Sequence, residues 1–285
     1  MHELFLTASV KQSDFDTACA VLQGLSWMTA RRTVYRVLYF AGPSQPKGLS
    51  VAPPPSALPR AVERQLWGDL HKQLLRSSYI LQAAYEVAPE TDFGRDVAMD
   101  FNRLPATLRW TDLPDPVRGG GDGMITSRKK IEIPFRHLLP KTLTDNKLVC
   151  TAELIQESYS FNRGDLEIVL SRYYHLPSPP SSDPPPAPGS APGPGRPTIA
   201  PILPAWTDLR PADSAQKWVL NVKLYVPEDG SGGGGQPEKV AQANDELVRN
   251  KAEFEKLFNF KHIDRRVFDT RIAAPPVVPG RGPTG

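Results

Sequence analysis

The sequence contains little that would support a disulfide scaffold or a membrane span. Its two cysteines, Cys19 and Cys150, lie 131 positions apart without metal-ligand spacing around them, so we expect buried or free thiols in a reducing compartment. No run of about 18 apolar residues occurs, and the N-terminus lacks the basic-then-apolar pattern of a signal peptide. We therefore expect a soluble protein of the cytosol or nucleus.

Signatures of several functional classes are also missing. The formal charge of +3 is spread over 34 basic and 31 acidic residues, which is too balanced to indicate direct nucleic-acid binding. The five histidines are scattered, and no Gly-x-Ser-x-Gly elbow or dinucleotide fingerprint occurs. The glycines at 119–123 lack the Lys-Ser/Thr of a phosphate loop. We expect no cofactor, no small-molecule substrate and no membrane partner.

Proline and glycine are abundant instead, with 31 and 21 residues, and they are concentrated in segments. Residues 42–59 hold six prolines and are interpreted as a surface loop. Residues 176–204 hold twelve prolines and are interpreted as a disordered insertion, because such a segment buries too little apolar surface to offset its chain entropy. Residues 227–236 form a glycine-rich loop, and 272–285 a flexible tail.

Hydrophobic periodicity predicts many strands and three helices between these segments. Alternation predicts strands at 2–10, 32–41, 79–87, 124–133, 151–161, 166–175 and 218–226. Helical spacing predicts a first helix at 14–26, with Ser13 as its N-cap. It predicts a second helix at 60–75, with an apolar stripe of Val62, Leu66, Leu70 and Leu74, and a third over about 20 residues from Pro237. The stripe of the last helix comprises Val240, Ala243, Leu247, Phe254, Leu257 and Phe258. Residues 89–121 show no period, with Trp110 and Leu113 as anchors.

Residues 151–175 predict a β-hairpin. A two-residue loop of Arg163 and Gly164 would place Asn162 opposite Asp165 and give the hairpin one mostly apolar face and one mostly polar face. Since an isolated hairpin is marginal in water, further strands or a covering helix are required. The pattern on both sides of 176–204 is continuous. We therefore predict a single α+β domain over 1–285, mainly antiparallel β, forming a multi-stranded β-barrel or curled sheet with a few packed helices.

The hairpin also carries the strongest candidates for catalysis. Glu153, Glu157 and Arg172 share the apolar face, and if that face lined a barrel lumen they could hold a divalent metal and a phosphate. Tunnel-shaped RNA triphosphatases use Glu-x-Glu pairs for this purpose, and no such pair occurs at a strand-like position here. Pairing of Arg172 with Glu157 explains these charges structurally, so no catalytic, cofactor-binding or metal-binding residue is assigned. A metal-dependent phosphohydrolase stays as the alternative function.

A basic triplet, Arg128, Lys129 and Lys130, lies in the strand predicted at 124–133. We interpret it as a solvated strand face, with a contact for an acidic partner as the other possibility.

Several blocks of sequence, in order along nearly the whole chain, resemble the Mediator subunit 18 family in the form found in filamentous fungi. These blocks lie at 2–10, 22–25, 66–74, 108–116, 126–134, 153–161, 170–174 and 267–271.

The resemblance implies a β-barrel similar to the RNA triphosphatase tunnel, but a non-enzymatic one. It implies pairing with Mediator subunit 20 and capture of a C-terminal helix of subunit 8, within the head module of a nuclear coregulator of RNA polymerase II transcription. It supplies no residue-level partner interface, which stays unknown, and no role for the 176–204 insertion.

Overall fold

A computed structural model of the chain describes residues 1–76, 78–115, 124–177, 199–228 and 236–261. The strands are β1 (His2–Val10), β2 (Arg31–Ala41), β3 (Ile80–Val87), β4 (Ala106–Thr111), β5 (Thr126–Phe135), β6 (Val149–Arg163), β7 (Leu166–His175), β8 (Arg210–Pro211) and β9 (Trp218–Val226). The helices are α1 (Phe15–Ser26), α2 (Ala61–Gln73), α3 (Pro89–Asp92), α4 (Leu139–Asp145) and α5 (Gln236–Phe254). The glycines at 119–123, the tail at 272–285 and most of the predicted insertion lie outside the described residues.

Eight strands close into an antiparallel barrel. Neighbouring strands follow the order β6-β2-β3-β4-β5-β1-β9-β7, and β6 pairs with β7 to complete the ring. The two-residue β8 only extends the sheet beside the end of β7. The predicted fold class, mainly antiparallel β with a few packed helices, is therefore confirmed. No helix in the described residues is long and apolar enough to cross a membrane.

The helices cover the outside of the barrel, and they explain why the outer face of the strands is apolar. Along β9 every second side chain is buried, from Trp218 to Val226, and these side chains pack in one cluster with α1 and α5. A second cluster packs Trp67 and Leu70 of α2 and Leu143 of α4 against β3, β4 and β5. Removal of this apolar surface from water is the main force that holds the helices on the wall.

Details of the helices differ from the sequence-based expectations. Ser13 does not cap α1; its hydroxyl donates to Asp14, and a short 3-10 turn precedes the helix. Leu70 and Leu74 of the predicted α2 stripe are buried, but Val62 is exposed and Glu63 and Trp67 are buried in addition. Leu257, predicted to lie on the stripe of the last helix, is also exposed. Val62 is exposed because of the orientation in which α2 meets the barrel, whereas Leu257 is exposed because α5 ends at Phe254, before it.

The predictions missed β4 and α4. The strand β4 is only six residues long and follows Pro105, so its alternation of Ala106, Leu108 and Trp110 was too short to detect. Trp110 itself is fully buried, as expected for an anchor.

The hairpin has the predicted faces but a different register. Arg163 pairs with Leu166, so the loop consists of Gly164 and Asp165, and every pairing is shifted by two residues. Gly164 has φ of +58°, which suits the first loop position of a type II′ turn. Because side chains alternate with a period of two, a shift of two residues leaves both faces intact.

Two proline-rich segments carry more structure than expected. Residues 42–59 contain no helix or strand, yet Ala57 and Leu58 are fully buried and the segment is not merely at the surface. At the end of the predicted insertion, Leu203 is 1 % exposed and bridges to Phe93. The expectation that residues up to 204 are disordered is wrong for this part, because the buried Leu203 side chain and backbone hydrogen bonds from Met99 and Gly94 attach it to the wall.

Candidate functional site in the barrel tunnel

The strand face opposite the helices encloses a tunnel lined by polar and aromatic side chains. Side chains from strands that are not neighbours meet there: the Arg109 guanidinium of β4 lies 4.7 Å from the Tyr35 ring centre of β2, across β3. Lys130 of β5 likewise lies 4.8 Å from the ring centre of Tyr225 in β9, across β1. Such contacts are possible only on the concave side of a closed sheet.

Glu3 is the most enclosed carboxylate of the tunnel. Its Oε2 accepts a hydrogen bond from Arg128, and its Oε1 lies 3.8 Å from Lys130 Nζ and 4.0 Å from Lys223 Nζ. Burial raises the pKa of Glu3, but the three cations outweigh burial and lower it to about 2. The residue is therefore ionised at neutral pH although it is fully buried.

A second carboxylate, Glu167 of β7, extends this network. Lys223 Nζ lies 3.6 Å from Glu167 Oε2, and the Tyr225 hydroxyl donates to the same oxygen at 2.5 Å. Burial and the two carboxylates together raise the pKa of Tyr225, so the phenol keeps its proton. Burial lowers the pKa of Lys223, and Glu3 and Glu167 oppose that change.

A third carboxylate, Glu132 of β5, joins Lys130 to a further cation, Arg109. Its Oε1 lies 3.1 Å from Lys130 Nζ and 3.4 Å from Arg109 Nε. The central part of the tunnel thus carries four cationic side chains, Arg109, Arg128, Lys130 and Lys223, against three carboxylates among the described residues.

Solvent reaches the tunnel. Lys223, Glu132 and Glu167 keep 18 %, 32 % and 34 % of their side-chain surface accessible although they face the barrel interior. The outer side chains of the same strand as Lys223 are buried instead, because helices cover them. The barrel is therefore apolar on its covered outer wall and polar inside.

The geometry disfavours a divalent metal in the tunnel. Divalent ions need several carboxylate oxygens free to coordinate, whereas all three carboxylates here already neutralise lysines or arginines. The described residues contain no group of three potential ligands in metal-binding arrangement. The network is suited to fixing the barrel interior and to presenting positive charge within it.

The residues proposed from sequence lie on the outer wall, which corrects the lumen hypothesis. Glu157 accepts hydrogen bonds at 2.9 Å from Arg32, Arg172 and the Tyr174 hydroxyl. The pairing of Arg172 with Glu157 is confirmed, and the two residues are directly opposite in register. They were placed in the lumen because their face is apolar, but in this barrel the apolar face is the helix-covered one.

Glu153 also lies on the outer wall, where it pairs with the fully buried Arg36. Arg36 donates to the carbonyl of Ala200, and the Ala200 amide donates to Glu153 at 3.3 Å, so this ion pair fixes the end of the predicted insertion. Sequence reasoning missed Arg36; the available signal was one charged residue at a buried position between apolar neighbours in β2.

The basic triplet is not a solvated face, which corrects that interpretation. Arg128 and Lys130 point into the tunnel toward Glu3, whereas Lys129 points to the other side and pairs with Glu228 at 3.0 Å.

Four other tunnel residues, Glu3, Arg109, Glu167 and Lys223, were not identified as a site. Their signal was one charged residue on the less apolar face of each strand, which does not say that this face is the inside.

Trp27 is the most exposed large apolar residue of the described chain, at 92 %. It follows α1 with a left-handed backbone, φ of 55°, which costs a non-glycine residue about 1–2 kcal/mol. The described surface therefore exposes an indole on a strained turn where glycine would be favoured for stability.

Comparison with known proteins gives one family and one informative structure. A family model described as Med18 protein matches residues 2–271. A chain from the structure of the Schizosaccharomyces pombe Mediator head module is 13 % identical, with a TM-score of 0.57, and the match covers 92 % of this chain and 99 % of that chain. This likeness supports the barrel fold.

Two weaker structural matches carry no argument about function. A putative adenylate cyclase from Vibrio parahaemolyticus matches with 9 % identity and a TM-score of 0.41, over 94 % of this chain and 97 % of that chain. A conserved hypothetical protein from Pyrococcus furiosus matches with 8 % identity and a TM-score of 0.39, over 93 % and 98 %. No curated protein matches the sequence.

Proposed function

The chain belongs to the Med18 family, and from this premise we propose that it is a non-enzymatic, protein-binding subunit of the Mediator complex in the nucleus. Its proposed role is to pair with subunit 20 and to hold a helix of subunit 8, in support of RNA polymerase II transcription. The observation that carries the proposal is the family match over 2–271, together with a barrel that aligns with nearly the whole of a chain in the Mediator head module of fission yeast.

The tunnel supports a binding role over a catalytic one. A metal-dependent phosphohydrolase needs carboxylates available to one or two metal ions, and Glu3, Glu132 and Glu167 each neutralise cationic side chains of the barrel itself. The alternative function also loses its original basis, since Glu153 and Glu157 lie on the outer wall and are held by arginines.

The surface supports a binding role as well. Exposed aromatic residues, tryptophan above all, dominate the energy of many protein interfaces. Trp27 is exposed on a strained backbone that does not serve barrel stability, directly after a helix whose apolar residues Val21 and Leu25 pack on the barrel core. We propose the end of α1 as part of a partner contact.

Co-expression with subunit 8 and subunit 20 homologues, followed by size-exclusion chromatography, tests the proposal. We expect the three chains to co-elute as one complex. Trp27→Ala should weaken the complex, whereas Val62→Ala, which truncates another exposed apolar side chain on α2, should leave it intact. Elution of this chain alone as a monomer would contradict the assignment of partners. An equal effect of both variants would contradict the role of Trp27.

The proposal that the chain is not an enzyme requires a separate measurement. Incubation with tripolyphosphate and Mn²⁺ should release no phosphate above a protein-free control. Release that is lost in Glu132→Gln, which alters a partly exposed tunnel carboxylate, and retained in Glu86→Gln, which alters an exposed carboxylate on β3, would instead establish tunnel chemistry.

A further inference from the structure

The tunnel contains one cation whose hydrogen-bonding capacity is not satisfied by the protein. The Nε of Arg109 is buried without a hydrogen-bond partner. Its nearest carboxylate oxygen, Glu132 Oε1, is 3.4 Å away and is shared with Lys130. A guanidinium has five N–H donors, and a buried donor without a partner is costly.

The surroundings of Arg109 are tyrosines rather than carboxylates. The guanidinium lies over the ring of Tyr35 at 4.7 Å. Burial raises the pKa of Tyr173, on the far wall in β7, and the charges of Arg109 and Arg128 oppose that rise, so both cations act on the same region. Burial likewise raises the pKa of Tyr39 in β2, opposed by Arg109. The Tyr173 phenol therefore keeps its proton at neutral pH, and the Tyr39 hydroxyl is already hydrogen-bonded to Gln82.

The net charge of the tunnel and its accessibility to solvent both favour the binding of an anion. Four cations face three carboxylates in the central tunnel of the described chain, and its side chains keep accessible surface. Water could accept hydrogen bonds from Arg109 but would not neutralise the excess positive charge in an enclosed site. An oxyanion would do both, because its oxygens accept several N–H and O–H donors at once.

We propose that the tunnel binds a small oxyanion of the phosphate class, with the Arg109 guanidinium as its principal donor and the Tyr35 hydroxyl as a secondary donor. Both single phosphate and a short phosphate chain share this chemistry. The site is one for binding and does not require the oxyanion to react.

Binding is tested with the full chain by isothermal titration calorimetry with phosphate, sulfate and tripolyphosphate at constant ionic strength, with chloride as the baseline. We expect saturable binding of at least one phosphate anion and a matching rise in melting temperature. Arg109→Gln should weaken binding at least about tenfold, as expected on loss of charge-assisted hydrogen bonds. The matched control Arg103→Gln removes an exposed arginine and should leave affinity unchanged.

The proposal would be overturned if none of the three anions showed saturable binding. It would also be overturned if Arg109→Gln and Arg103→Gln weakened binding equally, because that result would place the anion on the outer surface. If Arg109→Gln fails to fold, Tyr35→Phe supplies the test, because it keeps the ring that stacks on Arg109 and removes only the hydroxyl. Unchanged anion affinity in a folded Tyr35→Phe protein would then contradict the proposed site.

Discussion

Replacement of Glu3 by glutamine should destabilise the barrel strongly at neutral pH. The carboxylate is fully buried between Arg128, Lys130 and Lys223, and Glu3→Gln keeps the shape of the side chain but leaves these cations close together without their shared counter-charge. A carboxylate whose pKa falls from its ordinary 4.5 to about 2 on folding contributes about 3 kcal/mol of stability at neutral pH. Loss of one partner of a buried ion pair typically costs about 3–5 kcal/mol, which agrees.

The pH dependence of this loss has a definite sign. Because the pKa of Glu3 is lower in the folded state, its contribution is fully present above pH 4.5 and is lost as the pH falls toward 2. The wild-type protein and Glu3→Gln should therefore differ most above about pH 5 and converge in acid.

Urea unfolding followed by tryptophan fluorescence, at intervals between pH 3 and pH 8, measures this difference. The control Glu86→Gln removes an exposed carboxylate from β3 and should change stability by no more than about 0.5 kcal/mol. Lys223→Met should cost less in the Glu3→Gln background than in the wild type, since it relieves repulsion there. A loss for Glu3→Gln below about 1 kcal/mol, or one that is constant with pH, would refute the electrostatic account of the tunnel.

Three further predictions concern other parts of the chain. Leu203→Ala should lower the free energy of unfolding by about 2–4 kcal/mol because the Leu203 side chain is buried on the wall. Ile202→Ala, at an exposed position, should be nearly neutral in the same unfolding assay. Similar values for the two variants would show that the segment is not attached. Trp27→Gly should be about 1 kcal/mol more stable than Trp27→Ala, since only glycine adopts the left-handed turn without strain; a less stable glycine variant would contradict that backbone. Burial raises the pKa of the Cys19 and Cys150 thiols to about 11. Both should therefore react with a thiol reagent at pH 8 about 100-fold more slowly than a thiol of pKa 9. Rapid reaction in the folded protein would refute their burial.

The elements of the barrel could be predicted wherever the apolar period was long. The strand from Trp218 to Val226 alternates over nine residues, and its identity and both faces were evident from the sequence. The strand from Ala106 to Thr111 is central to the barrel but spans six residues next to a proline, so no local period could identify it. Its stability comes from pairing on both edges, with β3 and β5, which is a property of the sheet.

The site could not be predicted, because its residues are far apart in the chain. Glu3, Arg128 and Lys223 belong to three strands that become neighbours only when β1 pairs with β5 on one edge and β9 on the other. Glu157 and Arg172 share a face with apolar residues, and the catalytic hypothesis required that face to line the lumen. That inference assumed that apolar residues point inward.

The sequence by itself determined which residues alternate, where the helices form and which side chains share a face of each strand, since these follow from local periods of 2 and 3.6 residues. Its ordered blocks also indicated the family. Only the tertiary structure decided which face of the sheet became the inside. An alternating strand has two different faces but no information about the direction in which the sheet curls, and here α1, α2 and α5 buried the apolar face and left the charged one to line the tunnel.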